Sequence, residues 1–139
     1  MKACVLSTAK LREPSLVERF DYYQKLLNRR IPLERRDVKK GPLVPLVPAG
    51  YLTIALHERG EPWDSVAFAE RVRGWERSVS GLCFLIGEAD GLAQSDLAGA
   101  AAQWSLSPLT LPHQLCFVIV AEQLYRAHTI IRGESYHRP

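Results

Sequence analysis

Three neighbouring residues near the end of the sequence, Tyr136, His137 and Arg138, combine an aromatic ring, a titratable imidazole and a guanidinium. An aromatic ring can stack on an unpaired RNA base, and a guanidinium can hold a phosphate through two parallel hydrogen bonds. A histidine with its ordinary pKa of about 6.5 can accept or relay a proton near neutral pH. The alternative is a frayed tail without function, as terminal residues often are.

A second candidate is the loop at 104–113, which is rich in leucine and is stiffened by two prolines. Loops on a protein surface are usually polar, so an apolar loop with a fixed shape indicates a pocket wall. Flat apolar groups such as adenine suit such pockets, because exposed backbone N–H and C=O groups can bind their edges. The alternative interpretation is that Leu106, Leu109 and Leu111 fill the core beneath a turn.

Two strand-like segments end close to residues that suit a ligand site, namely Leu56 and Gly87. In open α/β sheets, ligands bind beyond the carboxyl ends of the strands. The alternative for Gly87 is a turn that needs a positive φ. The segment 87–91 lacks the glycine spacing of a dinucleotide-binding loop.

Strand-like and helix-like segments alternate along the chain, which predicts an α/β fold with a mainly parallel sheet. Pro14 suits the first turn of a helix, and Pro32 places the weak strand at 31–38 on an edge. His57 to Gly60 are expected to form a loop, and His113 to cap or pack at a helix start. Strands are predicted at 2–7, 51–56 and 82–86, and helices at 15–28, from 64 or 65 to 77, at 97–104 and at 114–131.

The segment 39–50 joins two predicted strands without helical periodicity, and its prolines recur every third residue. Polyproline II has three residues per turn, so we expect an extended connector here. Four exposed aliphatic side chains would form an adhesive patch, which argues against a flexible, solvated linker. The side chains expected to be at least partly buried on the sheet are Leu43, Val44, Leu46 and Val47.

The composition is that of a soluble globular protein of one domain, 1–139, with 47% hydrophobic and 24% charged residues. No apolar run approaches the roughly 20 residues that a membrane span needs. The three cysteines lie far apart without metal-ligand spacing, which favours a reducing cytoplasm and no metal. The net charge of +3 is weak support for nucleic-acid binding. Its basic cluster, either a phosphate-facing patch or a solvated edge, is Arg29, Arg30, Arg35, Arg36, Lys39 and Lys40.

Three blocks together resemble the RlmH-type ribosomal RNA methyltransferases of the SPOUT superfamily. They are the Phe-Leu-Ile-Gly at 84–87, the segment 113–127 with its Glu-x-x-Tyr-Arg pattern ending at Arg126, and the tail at 133–138. Glu122 and Arg126 are also expected to form an ion pair one helical turn apart. The resemblance covers most of 51–138 and, more loosely, 1–38. It implies a parallel sheet flanked by helices and a C-terminal trefoil knot. The relatives carry a helix between the second and third strands, and the segment 39–50 predicts that this chain lacks it.

The resemblance further implies transfer of a methyl group from S-adenosylmethionine to N3 of a pseudouridine in 23S ribosomal RNA of the large subunit. The chain departs from its relatives at Glu88, where they usually have a second glycine. The alternative function is therefore a catalytically weak SPOUT-fold protein that binds RNA or the ribosome. The implied partners are a second copy of the chain, whose tail completes the site, and ribosomal RNA, with no membrane. The implied cofactor-binding residues are Leu56, Gly87, Leu106, Ser107, Pro108, Leu109, Thr110 and Leu111, and the implied catalytic residues are Tyr136, His137 and Arg138.

Overall fold

The computed structural model describes all residues from Met1 to Pro139. Five strands alternate with four α-helices, which confirms the predicted α/β class. The elements are β1 (Lys2–Ser7), α1 (Pro14–Leu27), β2 (Leu33–Asp37), β3 (Tyr51–Glu61), α2 (Ser65–Trp75), β4 (Gly81–Ile86), α3 (Gln94–Gly99), β5 (Ala102–Trp104) and α4 (His113–Arg132).

The five strands form one parallel sheet in the order β2-β1-β4-β3-β5. Every residue of β4 is buried, because helices or connecting segments cover both faces of a parallel sheet. β2 lies at one edge, as the proline beside it predicts. The carboxyl ends of all five strands therefore point to one edge of the molecule, where the site residues were expected.

Alternate residues of the central strands face two hydrophobic cores of unequal size. The larger core contains Val5 and Phe84 and is covered by α1, α2 and α4, with α4 packed between the other two helices. The smaller core contains Leu6 and Leu85 on the opposite face, where only short segments cover the sheet. This unequal cover follows from the absence of an α-helix between β2 and β3, which confirms the predicted shortening.

The ends of the helices follow the local chemistry of the sequence. Pro14 occupies the first turn of α1, and the Asp64 carboxylate accepts a hydrogen bond from the backbone N–H of Ala67 at 2.8 Å to cap α2. Gly133 ends α4 with a φ of 70°, a conformation that glycine adopts without strain. The sequence predicted the helix starts at Pro14 and Asp64 correctly, because these contacts involve near neighbours.

The connector between β2 and β3 differs from the extended prediction. Val44–Leu46 forms one turn of 3₁₀-helix, and the Asp96 carboxylate accepts hydrogen bonds from the backbone N–H groups of Leu43 and Val44 at 2.9 Å each. Leu43 is buried in the smaller core, and Val44 and Val47 pack against it. Leu46 is 50% exposed, so its predicted burial is wrong. The buried carboxylate of α3 stabilises a turn that the proline repeat alone does not predict.

Two further predictions are wrong at the other edge of the sheet. The predicted helix at 97–104 is split, because α3 ends at Gly99 and β5 pairs with β3. The predicted loop at 57–60 belongs to the strand β3, which continues to Glu61. Trp104 takes part in both changes, because it pairs with Leu56 and Glu61 of β3 while its buried ring stacks on Phe68 at 4.2 Å between ring centroids. The C-terminal knot stays a prediction, since strand order and pairing do not define threading.

Candidate active site

A cavity of about 300 Å³ lies beyond the carboxyl end of β4, beside residues 56–58 within β3. Three segments form its walls: the bend in β3, the loop after β4, and the loop between β5 and α4. The register between β3 and β5 shifts after Leu56, so this residue stands at a bend rather than at the predicted strand end. The lining residues are Leu56, His57, Glu58, Ile86, Gly87, Glu88, Ala89, Asp90, Gly91, Leu92, Trp104, Leu106, Ser107, Leu109, Thr110, Leu111, His113 and Cys116.

The cavity contains all but one of the residues that the sequence proposed for the cofactor. Pro108 is the exception, because it lies in the loop without lining the cavity. The chain also brings His113 and Cys116 to the wall, which sequence reasoning assigned to packing. Their spacing of three residues at the start of α4 places both side chains on one helix face, and that periodicity was the available indication.

The loop after β4 is shaped by a close backbone approach at Gly87. A Cβ atom on Gly87 would lie 2.6 Å from the carbonyl carbon of Gly91, so no side chain fits. The positive φ of this loop, +82°, belongs to Gly91 and not to Gly87, which makes the turn interpretation of Gly87 wrong. The Glu88 carbonyl accepts a hydrogen bond from the Gly91 N–H at 2.8 Å and closes the turn.

The loop between β5 and α4 is held by two serine hydroxyls. The Ser105 hydroxyl donates to the Ser107 carbonyl at 3.2 Å, and the Ser107 hydroxyl accepts from the Leu109 N–H at 2.9 Å. Leu106 packs against the larger core, whereas Leu109 is 71% exposed at the cavity. The interpretation of these leucines as core plugs is therefore wrong for Leu109, whose side chain is free to contact a ligand.

Acidic groups dominate the charged lining of the cavity. Glu58, Glu88 and Asp90 line it, and no lysine or arginine does. Glu88 is tied to the loop after β1, because its Oε2 accepts a hydrogen bond from the Thr8 hydroxyl at 3.1 Å. Burial raises the pKa of the Cys116 thiol, so that side chain stays protonated.

The tail at 133–138 folds back onto α4. Glu122 and Arg126 form the predicted ion pair, with a guanidinium-to-carboxylate distance of 2.8 Å. The Tyr136 hydroxyl donates to the same Glu122 oxygen at 2.7 Å, and the Tyr136 ring packs edge-on against Tyr125 at 4.9 Å between centroids. His137 Nδ1 lies 3.0 Å from a guanidinium nitrogen of Arg126. These contacts contradict the frayed-tail interpretation.

The electrostatics of this cluster define the protonation of the tail. Burial, and then the hydrogen bond to Glu122, raise the pKa of Tyr136, so its phenol remains a donor. The hydrogen bond to Glu122 raises the pKa of Arg126. Because a guanidinium only donates, His137 Nδ1 must accept, and the proton of a neutral ring then sits on Nε2.

The structure does not bring the tail and the cavity together within one chain. None of Tyr136, His137 and Arg138 lines the cavity. On α4, the cavity residue Cys116 and the tail partner Arg126 are separated by ten residues, a rise of about 15 Å along the helix. The cavity and the tail cluster therefore lie at different positions along α4.

Other kinds of site find little support in the structure. No three His, Cys, Asp or Glu side chains are grouped so that they could hold a metal ion. None of the helices combines the length and the apolar character needed to cross a membrane. The candidate functional residues therefore lie in two places, the cavity and the tail.

Comparison with known proteins extends the likeness over the whole chain. The family described as "Predicted SPOUT methyltransferase" matches residues 1–137. Ribosomal RNA large subunit methyltransferase H of Sorangium cellulosum is 37% identical over 143 residues, covering 98% of this chain and 99% of its own. The protein of the same name from Xanthomonas euvesicatoria is 33% identical over 155 residues, covering 99% of both chains.

Solved structures show the same fold at low sequence identity. A probable methyltransferase from Bordetella pertussis superposes with a TM-score of 0.57 at 12% identity, covering 91% of this chain and 95% of its own. A probable methylase family protein from Haemophilus influenzae gives 0.62 at 11% identity, covering 99% and 70%. The fold and the full-length sequence matches agree, and the chain belongs to the SPOUT methyltransferases and, among them, to the family of ribosomal RNA large subunit methyltransferase H.

Proposed function

We propose that this protein is a ribosomal RNA methyltransferase that transfers a methyl group from S-adenosylmethionine to N3 of a pseudouridine in 23S ribosomal RNA of the large subunit. The observation that carries the proposal is a cavity at the carboxyl ends of the strands, in a chain whose full-length relatives are named as methyltransferases of large-subunit ribosomal RNA. The proposed cofactor-binding residues are those of the cavity, from Leu56, Gly87 and 106–111.

The cavity suits S-adenosylmethionine in size and lining. Its volume lies at the lower end of the range for small-molecule sites. The side chains of Leu56, Leu106 and Leu111 offer apolar contacts for adenine, while the carboxylates of Glu58 and Glu88 face a ligand with two cationic groups. When bound, the cofactor supplies the methyl group on a positively charged sulfur that is already a strong donor.

The tail residues have complementary roles in the proposed reaction. The Tyr136 hydroxyl is held by Glu122, so its ring is fixed for stacking rather than for proton transfer. His137 has its Nδ1 against Arg126, which leaves Nε2 to contact the substrate base. Arg138 is exposed and available to an RNA phosphate. Positioning the base is the task left to these residues, and the proton lost from N3 passes to water.

We infer that the active site is completed by a second copy of the chain. The outer face of α4 carries the half-exposed or exposed apolar side chains Leu115, Val118 and Ile119 between the cavity and the tail cluster. Two α4 helices that meet antiparallel on this face, related by a two-fold axis, would place the tail cluster of each chain towards the cavity end of the other. The tail of one protomer would then reach the cavity of its partner.

The family also supports the rest of the proposal. A trefoil knot would be formed by the segments from β4 to α4, which include both cavity loops. The three free thiols, two of them buried, suit the reducing cytoplasm in which ribosomes are methylated.

Two measurements test the proposal. Mass spectrometry of ribosomal RNA from a deletion strain should show one pseudouridine that has lost a methyl group, and reintroducing the gene should restore it. Calorimetry should show S-adenosylmethionine binding at about micromolar affinity, as small-molecule sites of this kind reach. The second candidate is a catalytically weak RNA-binding protein, favoured by the Glu88 carboxylate inside the cavity. Unchanged ribosomal RNA together with no binding at millimolar cofactor would support that candidate and defeat ours.

A further inference from the structure

The charge of the cavity is opposite to the charge of the protein. The chain carries a net charge of +3, yet the charged lining consists of the three carboxylates Glu58, Glu88 and Asp90. Two imidazoles also lie in the wall, and that of His57 accepts a hydrogen bond from the Arg59 N–H at its Nδ1. A ligand in the cavity therefore meets a negative field.

Glu88 is the carboxylate whose place is defined best. Its Oε2 is bound by the Thr8 hydroxyl, and its backbone closes the turn with Gly91. Its Oε1 makes no hydrogen bond within the chain. The side chain is thus held at the cavity wall through one oxygen, and its second oxygen has no partner within the chain.

We propose that Glu88, assisted by Glu58 and Asp90, makes the cavity selective for the charge of its ligand, so that the cationic methyl donor binds more tightly than the product formed when its sulfur loses the methyl group. This inference rests on the proposed function. S-adenosylmethionine and S-adenosylhomocysteine share all other groups and differ by one methyl and one positive charge. In a purely apolar pocket the affinities for the two ligands would differ only through contacts of the methyl group. A carboxylate also attracts the positive charge that only S-adenosylmethionine carries on its sulfur.

The size of the effect follows from Coulomb's law. Glu58, Glu88 and Asp90 are exposed, and in such a solvated setting a carboxylate about 7 Å from a positive charge changes the affinity for that charge by about threefold. Three such groups together give a preference on the order of tenfold or more at low salt, reduced by screening as salt rises. The same field repels RNA phosphates, which keeps the cavity free for the donor after each product leaves.

The test compares binding, not turnover. Calorimetry at low ionic strength would measure S-adenosylmethionine, S-adenosylhomocysteine and sinefungin, an analogue that keeps a positive charge on an amine. The variant Glu88→Gln retains an oxygen for the Thr8 hydroxyl and removes only the charge. We expect the donor-to-product affinity ratio to fall about threefold in Glu88→Gln, and about tenfold when Glu58→Gln and Asp90→Asn are added.

Glu18→Gln, an exposed charge change on α1, is the matched control and should leave the ratio at its wild-type value. The affinity for sinefungin should fall in the neutral variants as that for S-adenosylmethionine does, because both ligands carry the positive charge. The inference is overturned if all three ligands bind and the ratio is the same in wild type and in the neutral variants. No binding of any ligand to the wild type would instead overturn the proposed function. Circular dichroism of each variant verifies folding, and Asp90→Asn alone serves if Glu88→Gln does not fold.

Discussion

At the cavity, the absence of a side chain can matter as much as the presence of one. Gly87 is required because the backbone of Gly91 occupies the position of its missing Cβ atom. Glycine at this site is therefore a steric requirement of the loop that forms one wall of the cavity. At Gly74 on α2, by contrast, a Cβ atom would meet no neighbouring segment within 4 Å.

The two glycines give a matched pair of variants. Gly87→Ala should displace the loop after β4 and weaken S-adenosylmethionine binding by about tenfold or more, since a 2.6 Å contact with backbone is relieved only by moving the loop. Gly74→Ala should leave affinity unchanged and raise the free energy of unfolding by up to about 1 kcal/mol, the helix preference of alanine over glycine. Calorimetry and denaturant titration measure both quantities. Equal cofactor affinity in the two variants would remove the Gly87 loop from the binding site.

His128 is a second informative residue, because its side chain is buried and its Nδ1 has no hydrogen-bond partner. Burial, with Arg30 and Arg132 nearby, lowers its pKa in the folded protein. As the pH falls below about 6.5, the unfolded chain therefore binds a proton that the folded chain does not, and stability is lost. The slope reaches at most about 1.4 kcal/mol per pH unit for one proton.

We expect His128→Leu to remove this loss. Its free energy of unfolding, measured by urea titration between about pH 7.5 and 5.5, should fall less steeply than that of the wild type. His57→Leu, which changes a half-buried imidazole outside the helical core, is the control. Parallel pH profiles for wild type and His128→Leu would show that this imidazole does not govern acid stability.

At the scale of elements, a short turn replaces a helix on the second face of the sheet. The connector holds its place because Asp96 on α3 satisfies two backbone N–H groups that would otherwise be buried without partners. Gly99 allows this contact, since a Cβ there would meet the methyl groups of Val44 at 3.3 Å. α3 lies between the two cavity loops in sequence, so the same contact also anchors the cavity walls.

Asp96→Ala should therefore destabilise the protein by about 2–4 kcal/mol, because it leaves two buried N–H groups unpaired. Asp96→Asn keeps one oxygen acceptor, and its loss should be about half as large or less. Thermal unfolding would rank the variants, and limited proteolysis should cut the connector first in Asp96→Ala. A destabilisation below about 0.5 kcal/mol in Asp96→Ala, the range of an ordinary surface substitution, would show that the carboxylate is not the anchor.

At the scale of the whole molecule, the central question is whether the tail acts on the cavity of its own chain or on that of a partner. On α4 the tail cluster and the cavity are separated by about 15 Å of helix, and in the proposed dimer the tail of one chain would act on the cavity of the other. Deleting 136–139 should abolish methylation and leave cofactor binding nearly intact, because the tail is assigned to the RNA side.

Mixed dimers distinguish the two arrangements. Gly87→Ala chains lack a good cavity but keep the tail, whereas chains truncated before Tyr136 keep the cavity. If the tail acts on the partner, an equal mixture after subunit exchange should recover about a quarter of wild-type methylation, since half of the dimers contain one complete site of two. If the tail acts on its own chain, the mixture should stay as inactive as either variant alone. Size-exclusion chromatography with light scattering verifies that the dimers form.

Much of this architecture could be predicted from local patterns in the sequence. Apolar runs predicted β1, β3 and β4, and three- to four-residue periodicity predicted α1, α2 and α4, because these patterns depend on near neighbours along the chain. The ion pair between Glu122 and Arg126 was predicted for the same reason. The residues around the cavity could be placed together because parallel strands end at one edge of a sheet.

Tertiary structure decided what depends on distant partners. β5 is a strand of three residues that pairs with β3, although the alanine-rich segment 97–104 that contains it predicted a helix. The connector forms a turn because Asp96, more than 50 residues away, captures its backbone. The tail is ordered by Glu122 and Arg126, and the negative cavity arises where carboxylates from β3 and from the loop after β4 converge. These contacts produce no repeating pattern in the sequence, because they form between residues that are distant along the chain and meet only in the folded protein.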